Sequence, residues 1–157
     1  MIKCCCFLVF LVFSVYSQDL SCLTGNSTVC NFGVGIFSLT LPAGVGISEK
    51  IIYAETLTLV GATPVQPVAF LDTTFIISGS LYMTDIIPAF QNVAIEAPFV
   101  SLTETTNSIS DFMKVFDTNI TYSDTLVLDY YSISTRNALF NGINTGRLQL
   151  SAGGTTF

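Results

Sequence analysis

The chain contains no histidine and no tryptophan, and only 10% of its 157 residues are charged. Lack of histidine excludes Ser-His and Cys-His nucleophile pairs, the common zinc sites and the usual proton shuttle near neutral pH. Five Lys/Arg stand against eleven Asp/Glu, a formal net charge of −6. So acidic a balance provides no electrostatic footprint for DNA or RNA. Low charge with 50% hydrophobic residues also excludes a disordered chain. The length suits one domain able to bury its own core.

The only long apolar run is at the start. After Lys3, residues Cys4 to Tyr16 carry no charge, and Ser14 is the single interior polar residue. A run of this length is too short for a hydrocarbon core of ~30 Å, which needs about 20 residues. Val15 and Ser17 suit the −3 and −1 positions of a signal-peptidase site before Gln18. Residues 1–17 therefore read as a cleaved secretory signal, and the chain as secreted or held at the cell surface. Without a second apolar run of spanning length, no membrane span is expected in the mature chain. Four basic residues would then face eleven acidic ones.

Cleavage would leave two of the five cysteines, Cys22 and Cys30, in an oxidising compartment where a disulfide persists. Two cysteines without other soft ligands do not make a zinc site. Two glycosylation sequons follow, Asn26-Ser27-Thr28 inside the Cys22–Cys30 loop and Asn119-Ile120-Thr121 further on. Residues 18–48 are read as a disulfide-bearing cap with first strands, and 49–157 as a β-rich body.

From Asn31 onward, apolar and polar residues alternate in short runs punctuated by Gly, Pro, Asn, Asp and Ser. Phe37, Leu39 and Leu41 make one such run, and Leu57 with Leu59 another. Phe75, Ile77, Leu81 and Met83 share a face, opposite Ser78, Ser80 and Tyr82. Period two with β-branched and aromatic residues signals strands, so the fold class is all-β. One segment, Ser108 to Phe116, also fits a helical turn, with Ile109, Phe112, Met113 and Phe116 at i, i+3, i+4 and i+7.

Strand centres at Leu59, Tyr82, Leu102, Leu128 and Gln149 lie 23, 20, 26 and 21 residues apart. A ladder of about 20–26 residues per coil predicts a parallel β-helix, each coil stacking two or three short strands on the last. Asn92, Asn141 and Asn144 fall where turns need a left-handed backbone. The alternative is an antiparallel jelly-roll or β-sandwich, which short strands with frequent turns also allow.

Through Phe90-Gln91-Asn92-Val93, Leu139-Phe140-Asn141-Gly142-Ile143 and Leu148-Gln149-Leu150, the chain resembles the pectin-lyase-like superfamily of secreted right-handed parallel β-helices. The resemblance covers about Phe70 to Phe157. It implies either paired aspartates with a histidine motif and a basic clamp, or carboxylate-bound calcium with an arginine base. The first set is absent here. For the second, Arg136 and Arg147 are the only arginines, and Asp111, Asp117, Asp124 and Asp129 are the nearest acids, at spacings that match no family motif.

Other patterns are weak. Residues 117–123 alternate oxygen-bearing side chains as a calcium loop does, but Tyr122 replaces the turn glycine and Leu128 the bidentate glutamate. Gly33-Val34-Gly35 and Gly44-Val45-Gly46 read as turns, not phosphate cradles. Ser110 and Lys114 could face one another only on a helix. Tyr82, Tyr122, Tyr130 and Tyr131 are candidate stacking residues for sugars.

The sequence thus predicts a secreted, glycosylated structural or adhesive module without catalysis and without cofactor or metal. It would present Ser/Thr/Tyr surfaces to matrix, carbohydrate or like subunits. One alternative is a carbohydrate-active lyase-like or hydrolase-like enzyme or fragment, and a second an extracellular filament subunit. Charge well below the usual ~25% and the unprotected run Arg147 to Phe157 suggest a longer solenoid or an end covered by a neighbour.

Overall fold

A computed structural model describes residues 20–62, 66–103, 112–129, 132–144 and 146–151. The secretory signal read over 1–17, together with Asp111, Tyr130, Tyr131 and Ser110, lies outside these residues. A short helix, α1 (Ser21–Thr24), precedes β1 (Val29–Leu41), β2 (Gly46–Ser48), β3 (Ile51–Gly61), β4 (Gln66–Leu71), β5 (Thr74–Thr84) and β6 (Ile86–Gln91). There follow β7 (Ala94–Glu96), β8 (Phe99–Thr103), β9 (Phe112–Tyr122), β10 (Thr125–Asp129), β11 (Ser132–Gly142) and β12 (Arg147–Ser151). Among the described residues every strand pairing is parallel, and the twelve strands join one continuous sheet. This is a parallel β-solenoid. The antiparallel sandwich is excluded, because hairpins would pair neighbouring strands in opposite directions.

The register sorts the strands into three stacks. The first runs through Val29, Ile51, Thr74, Ala94, Asn119 and Leu139, with steps of 22, 23, 20, 25 and 20 residues. The second holds 36–41, 56–61, 80–84, 99–103, 125–129 and 147–151. The third holds 46–48, 69–71, 89–91, 114–116 and 134–136. Since β1 pairs with β3, the disulfide-bearing N-terminal piece and the body share one ladder.

Strand alternation sends every second side chain inward, and in a parallel stack each lands on its counterpart one coil away. Cys30, Ile52, Phe75, Ile95 and Ile120 form one buried column, and Phe37, Leu57, Leu81, Val100 and Leu126 another. Ile47, Phe70, Phe90 and Val115 line the third side. The Phe70 ring centroid lies 5.8 Å from that of Phe75 and 5.4 Å from that of Phe90, which ties two sides together across the interior.

The structure corrects the expected ladder by one residue. Leu59 pairs with Met83, and Tyr82 pairs with Thr58. Likewise Leu128 pairs with Leu150, and Gln149 with Val127. Strand centres picked for spacing alone mixed inward and outward positions, and a one-residue slip exchanges the two sides of a strand. A bulge contributes. Between Ala54/Ile77 and Thr56/Ser80 the upper strand carries one extra residue. Gly79 fits there because a Cβ on it would stand 2.9 Å from the Glu55 carbonyl oxygen.

Two local expectations change. The Gly33-Val34-Gly35 turn lies inside β1 as a bulged corner, with φ of 81° at Gly33 and 132° at Gly35. The helical reading of 108–116 fails in its described part, because residues 112–116 belong to β9. There Val115 pairs with Phe90 below, and tertiary pairing outweighs the local helical spacing.

Candidate functional site

Three features carry polar chemistry, and each arises from the repeat. The first is the corner between the third and first stacks. Each coil turns it through a residue in the left-handed region: Glu49 (φ 55°), Asp72 (48°), Asn92 (54°), Asp117 (48°) and Asn137 (52°). Asn and Asp tolerate this conformation better than other L-residues because their short side chains bond locally. The corner residues also bond to one another. Asn92 Nδ2 donates to Asp72 Oδ1 at 2.6 Å, and Asn137 Nδ2 to Asp117 Oδ1 at 2.8 Å. Backbone bonds run alongside, from Asp72 N to Gln91 O and from Asn92 N to Phe116 O, both 3.1 Å. Just inside the corner Lys50, Thr73 and Thr118 are buried. The Thr73 and Thr118 hydroxyls donate to the Leu71 and Phe116 carbonyls at 2.9 and 2.7 Å, so neither is orphaned.

Asp117 is thus a corner residue, and the calcium-loop pattern over 117–123 falls mostly on β9. Asp124 stands at a different corner, where its carboxylate accepts from Thr125 Oγ1 at 3.2 Å. Among the described residues no group of three or more His, Cys, Asp or Glu could hold a metal ion. Of the left-handed positions expected, Asn92 and Asn144 (φ 59°) have that backbone, and Asn141 lies in β11 without it.

The second feature is the N-terminal cap. Cys22 and Cys30 are bonded, with Cα atoms 5.7 Å apart, which ties α1 to the start of β1. Leu23 is buried beneath them. Lys50 Nζ donates to the carbonyl oxygens of Gly25, at 2.6 Å, and of Ser27. Those carbonyls flank Asn26, whose side chain is exposed. Asn119 is exposed as well, beside a hollow of about 430 Å³ that Asn92, Asn137 and Leu139 also line.

The third feature is the outer surface of the second stack. Its outward positions form three columns: Ile36, Thr56, Ser80, Phe99; Ser38, Thr58, Tyr82, Ser101; and Thr40, Val60, Thr84, Thr103. Eight of these twelve side chains are Ser or Thr, Tyr82 adds a ninth hydroxyl, and none is an Asp, Glu, Lys or Arg. Neighbours stand ~4.8 Å apart between strands and ~6.6 Å along each strand. Tyr82, in the middle column, meets Phe99, at the end of the first, with ring centroids 5.4 Å apart. The Ser101 and Thr103 hydroxyls lie 3.0 Å apart. The first acidic and basic residues in this stack, Asp129 and Arg147, come in the next two segments.

Of the candidate stacking tyrosines, Tyr82 is on this surface, 36% exposed, whereas Tyr122 is inward and buried. Tyr53, which the alternation did not single out, is 38% exposed on the first stack. No helix among the described residues is long and apolar enough to cross a membrane. No protein-family model, no curated protein and no solved structure matches the chain.

Proposed function

We propose that this chain is a secreted, glycosylated and non-catalytic adhesive module that works by display. The observation that carries the proposal is the outer surface of the second stack, with nine hydroxyls and no charge on twelve adjacent positions in a chain of net charge −6. A parallel solenoid holds such a surface rigid, because each strand is hydrogen-bonded to the next. Threonine is stiff at χ1, so immobilising it on contact costs little side-chain entropy. Extracellular matrix, carbohydrate and like subunits are the contacts this surface suits. The Cys22–Cys30 bond and the exposed sequons at Asn26 and Asn119 support passage through an oxidising, glycosylating compartment.

The solenoid is the shape expected from the resemblance to pectin-lyase-like proteins, which keeps a carbohydrate-active enzyme as the second reading. That reading needs carboxylates converging with an arginine in one groove. Asp117 and Asp124 stand at different corners instead, each within a local hydrogen-bond arrangement.

Retention of the mature chain on immobilised extracellular matrix tests the proposal. Wild type and Thr74→Arg, on the first stack, should be retained alike, while Thr58→Arg, in the middle of the uncharged surface, should lose most retention. Equal retention of all three would refute display through this surface. Depolymerisation of a matrix polysaccharide by the wild type would refute the non-catalytic reading.

A further inference from the structure

We infer that the uncharged surface of the second stack takes a neutral, hydroxyl-rich polysaccharide, with Tyr82 and Phe99 as its stacking platform. The inference rests on the display reading above and specifies its ligand class.

Charge decides first. An acidic polysaccharide needs cations to receive it, and the twelve positions from Ile36 to Thr103 supply none. The net charge of −6 adds a repulsive long-range field. A basic polymer needs carboxylates, and these positions supply none either. A neutral chain meets no penalty of either kind, and it leaves no buried charge unpaired.

Chemistry decides next. A pyranose ring has an apolar face of C–H bonds and a rim of hydroxyls. Tyr82 is half-exposed, and its ring packs diagonally against half-buried Phe99, so an apolar platform runs from the middle column to one corner of the array. Aromatic side chains suit such a face, and the tyrosine hydroxyl remains available at the rim. Around the platform Thr58 and Thr84 each offer a group that both donates and accepts, as a sugar hydroxyl requires, and the bonded Ser101–Thr103 hydroxyl pair keeps one donor and further lone pairs for the same purpose.

Size decides the polymer over the monomer. Four strands at ~4.8 Å and three positions at ~6.6 Å span about 14 by 13 Å. That footprint is flat and open, unlike the enclosed pocket a small ligand needs. Affinity then comes from many weak contacts made at once along a repeating chain, so single sugars bind poorly.

The test uses the full mature chain with particles of microcrystalline cellulose and of chitin as neutral probes, and pectate and heparin beads as acidic ones. Retention is expected on at least one neutral particle and on neither acidic bead. Tyr82→Ala and Thr58→Arg should each lower it about tenfold or more, and Tyr53→Ala should leave it unchanged. Circular dichroism of each variant separates loss of binding from loss of fold. No retention on either neutral particle, retention stronger on the acidic beads, or equal retention by Thr58→Arg would overturn the inference. If matrix retention still depended on Thr58 while both neutral particles failed, the ligand class would fall and the display reading would stand.

Discussion

Asn92 Nδ2 donates a 2.6 Å hydrogen bond to Asp72 Oδ1, 20 residues earlier and one coil below. The same bond recurs between Asn137 and Asp117, also twenty residues apart. Two demands meet at this corner, a left-handed backbone and a side chain that reaches the coil beneath. Removing both should cost more than removing one. Asn92→Gly keeps the backbone freedom and should lose about 1 kcal/mol, the hydrogen bond alone. Asn92→Ala should lose a further 1 kcal/mol or so for its strained φ. Urea unfolding midpoints check the order, wild type above Asn92→Gly above Asn92→Ala.

The corrected register makes a sharper prediction. Met83 is fully buried in the column with Leu59 and Leu102, and its neighbour Tyr82 faces outward. Met83→Ala should therefore cost about 2–5 kcal/mol, because it opens a cavity in a packed column. Tyr82→Ala should stay within about 1 kcal/mol. Thermal unfolding of the two variants reads the difference.

At the N-terminal end, two devices hold one loop. The Cys22–Cys30 bond closes a short loop, and breaking it should release about 2–3 kcal/mol of stabilisation in the chain-entropy view. Lys50→Met should cost about 1–3 kcal/mol, since it leaves the Gly25 and Ser27 carbonyls without their donor. Hydrogen exchange should locate both losses in residues 20–32 before any other part opens.

Both sequons should carry glycan when the chain is secreted by a glycosylating host. Thr28→Ala should remove the modification at Asn26 only, and Thr121→Ala that at Asn119 only. Intact-protein mass before and after enzymatic deglycosylation checks this. An unmodified wild-type chain from such a host would contradict it.

Much of the fold was legible because burial repeats with period two. Alternation alone places Phe37, Leu39, Leu57, Leu59, Phe75, Ile77, Leu81 and Met83 on the apolar faces of their strands, and all are buried. The coil length was legible too, since stacking like on like repeats the apolar pattern. The exact register was hidden by the bulge at Gly79, whose cause is a carbonyl of the neighbouring coil and not anything in its own segment. The corner ladder was half visible. Asn92 carries a turn signal, while Asp72 and Asp117 look like solvated aspartates until the coils are superposed. Tyr122 illustrates the same limit. It reads as an exposed tyrosine in a polar stretch, yet strand β9 turns it inward. The uncharged surface was anticipated only as a Ser/Thr/Tyr tendency, because its columns join residues about twenty positions apart.

Tyr82 and Tyr53 together report whether the outer surface of the second stack makes the contact. The two rings are nearly equally exposed, at 36% and 38%, but lie on different stacks. Hydroxyl-radical footprinting of the mature chain, free and bound to extracellular matrix, compares their oxidation within one sample. Tyr82 should become several-fold protected while Tyr53 is unchanged. Protection of Tyr53 with Tyr82 unaffected would contradict it.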